Sequence, residues 1–103
     1  MVIYKVIIHI QKKIELEWLS WMKEKHIPEI MTLNLFTKNK IFKILNARNL
    51  DFKSYCIEYH CNSIEEYNQY EKNYANEIQQ KHSEKYKGKF TAKRLILSLH
   101  NEL

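Results

Sequence analysis

Apolar and polar positions alternate with a period of two in several parts of the chain, which predicts four β-strands. The first strand, Val2–Ile10, alternates clearly and is rich in β-branched residues. Two further segments, Phe36–Leu45 and Lys53–Cys61, are separated by a stretch whose Asn and Asp content favours a hairpin loop. Phe90–Leu99 is the last predicted strand.

Two segments between these strands have the period of an amphipathic helix. Ile14–His26 places its large apolar side chains on one stripe, and we expect this helix to end before Pro28, which disfavours helical geometry at the preceding residue. Pro28 can also start a second short turn, Glu29–Thr32. The second helix, Ile64–Lys87, follows Ser63, the first residue of a capping-box pattern. Its period places on one face Ile64, Tyr67, Tyr74, Ala75, Ile78 and His82. Gly88 is suited to the left-handed conformation that closes a helix.

The predicted order of elements is β-α-β-β-α-β, within a single domain of residues 1–103. Two helices that cover one face of a four-stranded antiparallel sheet form a ferredoxin-like α+β sandwich. The chain contains one glycine and one proline, which agrees with long regular elements and few tight turns.

The uncovered face of this sheet has too many large apolar residues for a surface in contact with water. Its first three strands place on it Ile3, Lys5, Ile7, His9, Ile41, Lys43 and Glu58. A second copy packed against this face would bury its apolar residues, so the sequence predicts a homodimer. Lys5, Lys43 and Glu58 would then pair inside the interface. For the last strand, the pattern does not decide which alternate residues lie on this face.

The composition changes this picture little. With 45% hydrophobic and 28% charged residues, the chain has the balance of an ordinary soluble domain. The net charge of +5 arises from lysines that interleave with glutamates, which favours a solvated surface over a nucleic-acid site. RNA-recognition modules place stacking aromatic residues on the uncovered face of the first and third strands, and these are missing here. We therefore expect no nucleic-acid partner.

Membrane, disulfide and metal chemistry are also disfavoured. No apolar run reaches the roughly 18 residues that span a bilayer, so we expect no membrane partner. Cys56 and Cys61 lie roughly 16 Å apart on one predicted strand, too far to bridge each other. A cytoplasmic protein is then the default. The chain has no spacing typical of a metal site and no glycine-rich phosphate loop, and we expect no cofactor.

Four stretches of the chain resemble a known family. They are Val2–Val6, the block Glu17–Glu29 with its Trp-x-x-Trp and His-Ile-Pro patterns, Leu35–Thr37, and Phe90–Leu97. They resemble a small bacterial family described as domain of unknown function four-two-eight-six. More distantly, a helix that has an aromatic residue and ends in His-x-Pro looks like EthD-type members of the dimeric α/β-barrel superfamily, which includes antibiotic-biosynthesis-type monooxygenases. This resemblance implies paired sheets with ligand pockets between sheet and helices, and it identifies no reaction.

The block from Trp18 to Phe36 is the candidate pocket between the first helix and the sheet. The candidate ligand-binding residues are Trp18, Trp21, Phe36, Tyr59 and Arg94. Two tryptophans at helical spacing can wall an aromatic ligand, and they can equally belong to the core.

His26 is the candidate for acid–base work, because an imidazole titrates near neutrality. The EthD-like resemblance places such work at this position. The alternative is that protonated His26 stabilises the negative end of the first helix. Arg94 lies an even number of positions from the residues of its strand that we expect to face the core. A charge on that side needs a partner, so we expect Arg94 to pair with Glu29 or Glu58, or else to bind an anionic ligand.

Three functions stay open at this point. The first is a homodimeric protein that binds a small hydrophobic or aromatic molecule between the first helix and the sheet. The second is a cofactor-independent enzyme of the monooxygenase, isomerase or cyclase type that uses His26 as its acid–base group. The third is a non-catalytic protein-interaction module. The sequence does not decide whether the protein is an enzyme.

Overall fold

Four antiparallel strands form one sheet in the computed structural model, which describes residues 1–103. The strands are β1 (Val2–Gln11), β2 (Lys38–Lys43), β3 (Phe52–Cys61) and β4 (Phe90–Ser98). Their order in the sheet is β2-β3-β1-β4. This order and the β-α-β-β-α-β sequence confirm the predicted ferredoxin-like α+β fold.

Two helical segments connect the strands, and each contains one wide π-helical turn. The first helical segment consists of α1 (Glu15–Trp21), a π turn (Met22–His26) and α2 (Ile27–Met31). The second helical segment consists of α3 (Ile64–Tyr70), a π turn (Glu71–Ala75) and α4 (Asn76–Lys85).

The predicted end of the first helix before Pro28 is wrong, because the helical backbone continues to Met31. The N–H group of Ile27 bonds to the carbonyl of Met22, five residues earlier. Such a wide turn changes the hydrogen-bond spacing just before the proline, which has no N–H group to donate. The helix therefore passes through Pro28 instead of stopping at it.

The two ends of the second helical segment differ in how well they match the sequence. Ser63 makes no side-chain bond to the backbone, and its hydroxyl lies 3.4 Å from the carboxylate of Glu66. The reciprocal capping box is therefore not formed. Gly88 has the expected left-handed conformation, with a φ of 75°, but the helix ends earlier than predicted, at Lys85 with Tyr86 as its cap. Gly88 therefore lies in the turn after the helix, which the hydrogen bond from the N–H of Lys89 to the carbonyl of Tyr86 closes.

The core lies between the helical segments and one face of the sheet. Even-numbered residues of β1 and odd-numbered residues of β3 point to the helices, and Ile10, Ile57 and Trp18 are fully enclosed. Tyr4 is the centre of an aromatic group, with ring centroids 5.3–6.2 Å from those of its neighbours Phe36, Tyr59, Tyr67 and Tyr70.

The other face of the sheet, which we call the open face, has no layer of the chain above it. The pairings of Lys5 with Glu58 and with Leu95, and of Ile3 with Leu97, place these residues on it together. Ile7 and His9 lie on the same face, and His9 is 2.5 Å from the hydroxyl of Ser54. The register of β4 settles its phase: Leu95 and Leu97 face out, and Arg94 lies on the helical side of the sheet.

Ile41 and Lys43 do not lie on the open face, and their predicted place there is wrong. Ile41 is the direct partner of Ile57, which faces the helices, and it packs on the core. Lys43 reaches the carboxylate of Glu15 in α1 at 3.5 Å. Phe42, whose side chain is 46% exposed, occupies the open face instead. Two adjacent apolar residues leave the parity of a strand ambiguous, and the pairing with β3 decides it.

Candidate functional site

His26 lies at the end of the first π turn and is stacked against Trp21. Their ring centroids are 4.7 Å apart, and the ring planes differ by 24°. The second helical segment brings His82 to 5.6 Å from His26, centroid to centroid. The indole N–H of Trp18 donates a 2.9 Å hydrogen bond to Nε2 of His82. These four residues form one buried cluster of nitrogen-bearing rings, which we call the His26–His82 cluster.

Both histidines of this cluster are uncharged at neutral pH. Burial lowers the pKa of His26 to about 4, a shift that Glu29 opposes and that Lys81 and Arg94 reinforce. Burial, His26 and Arg94 lower the pKa of His82 to about 3. Since Nε2 of His82 accepts a hydrogen bond, its proton resides on Nδ1.

This electrostatic state disfavours both predicted roles of His26. A histidine with a pKa near 4 is a weak base and carries no proton to donate at pH 7. Its Nδ1 atom is buried without a hydrogen-bond partner, so no carboxylate orients the ring. The alternative, in which protonated His26 stabilises the end of the first helix, does not fit either, because the imidazole is neutral and the helix continues past it.

A cavity of about 20 Å³ lies between the helical segments and the sheet. Ten of its twelve lining residues are buried, among them His26, His82 and Tyr59, while Gln79 is half-buried and Arg94 is exposed. A space of this size accepts about one water-sized group and no aromatic ring. The expected pocket for an aromatic molecule is therefore filled by side chains.

Arg94 stands where this cavity meets the surface. Its Nε group donates a 3.2 Å hydrogen bond to the hydroxyl of Tyr4. The predicted carboxylate partners are wrong: Glu29 pairs with Lys81 at 2.6 Å, and Glu58 pairs with Lys5 at 3.6 Å. None of the four ion pairs in the structure includes Arg94.

The structure separates the residues predicted for the pocket into two groups. His26, Tyr59 and Arg94 line the cavity. The other three do not line it. Trp18 is fully buried and bonded to His82, and Phe36 packs against Tyr59 with centroids 5.4 Å apart, so both belong to the core. Trp21 is half-buried and stacks on His26.

Among the cavity residues that the sequence reasoning missed are His82 and Gln79. His82 was expected only on the core-facing side of the second helix, four residues after Ile78. A histidine at an apolar helical position needs a hydrogen-bond partner, and this requirement was the available signal. Its partner, Trp18, lies 64 residues away along the chain, and no local pattern connects the two.

Other kinds of site are not formed. No group of three or more His, Cys, Asp or Glu side chains is placed to hold a metal ion. Cys56 and Cys61 are both free. The helices are too short or too polar for any of them to cross a membrane.

The sheet order, the two helical segments and the cluster between them define a small ferredoxin-like α+β protein. The model of the family described as domain of unknown function (DUF4286) matches residues 1–100, and the chain belongs to this family. A comparison with curated proteins gave no match.

Solved structures with the same fold include three that cover nearly the whole chain. A dimeric ferredoxin-like protein from an uncultured marine organism has a TM-score of 0.71 at 16% identity, covering 100% of this chain and 98% of its own. A putative antibiotic biosynthesis monooxygenase from Bacillus cereus has a TM-score of 0.69 at 8% identity, with coverages of 99% and 95%. An EthD family protein from Bacillus halodurans has a TM-score of 0.65 at 16% identity, with coverages of 97% and 100%. At these identities the likeness concerns the fold alone.

Proposed function

We propose that the protein acts as a homodimeric, non-catalytic binding protein whose two sheets pack through their open faces. One observation carries the assembly: Ile3, Ile7, Leu95 and Leu97 lie together on a sheet face that no other part of the chain covers. Covering such a face with a second apolar surface is favourable because it removes hydrocarbon from water.

The charges on the open face fit a second copy. On the central strands, Lys5 is paired with Glu58 at 3.6 Å, so that this charge pair enters the interface already matched. The unpaired lysines Lys38, Lys40 and Lys93 lie on the edge strands β2 and β4 and would stay at the hydrated rim. The marine relative with the same fold is described as dimeric, which supports this arrangement.

Size-exclusion chromatography with light scattering tests the dimer. We expect the wild type at micromolar concentration to have twice the chain mass of 12.6 kDa. The variant Ile7→Glu places a charge at the centre of the open face and is expected to elute as a folded monomer.

The matched control is Leu16→Glu, which makes the same kind of change on the outer surface of α1, where Leu16 is 80% exposed. This variant should remain dimeric. A wild type that stays monomeric, or an Ile7→Glu variant that stays dimeric, would refute the assembly.

The binding role rests on the cavity beneath the His26–His82 cluster. Its lining includes His26, whose Nδ1 atom is buried without a partner, and Arg94, which has no carboxylate partner. The buried Nδ1 atom of His26 is unfavourable without a partner, and a bound molecule that pairs with it would remove that cost, while the exposed Arg94 adds a charge at the entrance. We favour binding over catalysis because His26 is neutral and has no carboxylate to orient it.

A thermal-shift screen of small compounds with an exposed polar end tests the binding role. Compounds that bind the cavity should raise the melting temperature of the wild type, because a ligand stabilises the folded state by mass action. The same compounds should stabilise the variant His26→Ala less, and His100→Ala, altered in the exposed C-terminal tail, as much as the wild type. If every compound leaves the wild type unchanged, or stabilises His26→Ala equally, the binding role is wrong.

A further inference from the structure

The mouth of the cavity contains a positive charge that the chain does not neutralise. Arg94 is the one exposed residue among the twelve that line the cavity, so the space opens to solvent beside its side chain. The hydrogen bond from Nε to the hydroxyl of Tyr4 fixes one edge of the guanidinium group. Its two terminal nitrogens make no hydrogen bond within the chain, which leaves them free to bind an acceptor.

The interior of the cavity supplies no negative charge to match Arg94. None of its lining residues is Asp or Glu, and the polar groups there come from two neutral histidines, the amide of Gln79 and tyrosine hydroxyls. Of the two carboxylates expected as its partners, Glu29 is paired with Lys81, and Glu58 lies on the opposite face of the sheet. The mouth therefore combines one cation with neutral hydrogen-bonding groups.

The volume restricts the group that enters. A cavity of about 20 Å³ admits one oxygen-sized atom and excludes a ring. A ligand must then insert a small polar end and leave its hydrocarbon body at the surface. A carboxylate fits this shape, because one oxygen can enter the cavity while the other accepts a charge-assisted hydrogen bond from the guanidinium.

We infer that the cavity mouth at Arg94 binds the carboxylate group of a small organic acid. One carboxylate oxygen enters the cavity towards Gln79 and the His26–His82 cluster, and the guanidinium of Arg94 neutralises the charge. The organic part of the acid lies outside, over the edge of β4. This inference rests on the binding role proposed above and adds the chemical class of the ligand.

Isothermal titration calorimetry with acids and their neutral amides tests the inference. The probes are acetate, hexanoate and benzoate, each compared with acetamide, hexanamide and benzamide. We expect at least one acid to bind the wild type at least tenfold more tightly than its amide. The variant Arg94→Gln should weaken that acid at least tenfold and leave the amide unchanged, because it removes the charge and retains a polar side chain.

The charge-matched control is Lys72→Gln, an exposed lysine of the second π turn that makes no ion pair in the structure. It should leave acid binding unchanged. The variant Arg94→Lys should bind the acid with an intermediate affinity, since lysine retains the positive charge but lacks the guanidinium group. Circular dichroism and light scattering verify that each variant retains the fold and mass of the wild type.

The outcomes separate this inference from the binding role. If the amides bind as tightly as the acids, or Arg94→Gln binds the acids like the wild type, the carboxylate inference is overturned while binding stands. If Lys72→Gln weakens acid binding as much as Arg94→Gln does, the effect comes from the net charge of the protein, and the carboxylate inference is overturned. Inorganic phosphate binding more tightly than every acid would do the same. If no probe binds the wild type at millimolar concentration, the carboxylate inference is rejected, and the thermal-shift screen decides the binding role.

Discussion

At the scale of single residues, the cluster between Trp18 and His82 explains why two histidines can be buried in a small core. The indole N–H of Trp18 satisfies Nε2 of His82, and Trp21 covers the ring of His26. Removing imidazole from water favours its neutral form, since a charge is much more costly to bury than a neutral polar group. The cluster is thus a structural unit whose stability depends on both rings remaining uncharged.

The unfolding free energy should therefore fall when the solution is acidified. In the unfolded chain the two histidines have their ordinary pKa of 6.5, whereas folding lowers the values to about 4 for His26 and about 3 for His82. Between pH 6.5 and about 4 the unfolded chain binds protons that the folded chain does not. Each histidine then contributes a loss of at most about 1.4 kcal/mol per pH unit.

Urea denaturation at pH 7.5, 6.0 and 5.0 measures this loss. The variant His26→Gln should show a shallower pH dependence than the wild type, because one of the two buried titrating rings is gone. The variant His100→Gln, altered in the exposed C-terminal tail, should keep the wild-type slope. A wild type with constant stability across this range would contradict neutral burial of the histidines.

At the scale of elements, the two π turns decide which residues of each helical segment face the core. In the second segment, Tyr70 is 1% exposed and Tyr74 is 40% exposed, although the regular helical period predicts Tyr74 on the buried face. The π turn at Glu71–Ala75 inserts a wide turn and so changes the phase of the helix. Sequence periodicity assumes an undistorted helix, and for this reason it misplaced Tyr74.

The turn between the second helical segment and β4 depends on the conformation of Gly88. Its φ of 75° lies in the left-handed region, and a Cβ added there would have no heavy atom within 4 Å. The substitution Gly88→Ala is therefore strained by its backbone alone and should reduce the unfolding free energy by about 1 kcal/mol.

Thermal and urea denaturation of Gly88→Ala measure this cost. The control is Ser83→Ala on the exposed face of α4, which should leave stability unchanged or raise it by a few tenths of a kcal/mol, because alanine has the better helix propensity. If Gly88→Ala has the same unfolding free energy as the wild type, the left-handed conformation is not needed at this position.

At the scale of the whole molecule, the fold has two sheet faces with different environments. The helical segments cover one face, whereas the apolar residues of the open face have no cover within the chain. The proposed dimer would convert the open face into a second buried layer. Its stability would then depend on the concentration of the chain, because the folded dimer forms from two molecules.

The melting temperature should therefore rise with protein concentration. Differential scanning calorimetry between 5 and 500 μM should show this rise for the wild type and for Leu16→Glu. The variant Ile7→Glu should melt at a temperature independent of concentration. A constant melting temperature in the wild type, together with a monomeric mass, would leave the open face without its proposed partner.

The sequence by itself determined the order of elements, the fold class and the two faces of β1 and β3. Lys5 and His9 share one parity of Val2–Gln11, and Glu58 and His60 share one parity of Phe52–Cys61, which favours one phase for each strand. A glycine such as Gly88 marks a turn directly. These features depend on residues that are neighbours along the chain, and physical rules of short range therefore predict them.

Only the tertiary structure decided the phase of β2, the continuation of the helix through Pro28 and the state of the site. Ile41 takes its direction from Ile57 across the sheet, and His82 is paired with a tryptophan 64 residues away. Arg94 lacks a carboxylate because Glu58 lies on the opposite face of the sheet and Glu29 is paired with Lys81. Each result depends on competition between distant residues for a partner or for space, and that competition is settled only when the helical segments pack on the sheet.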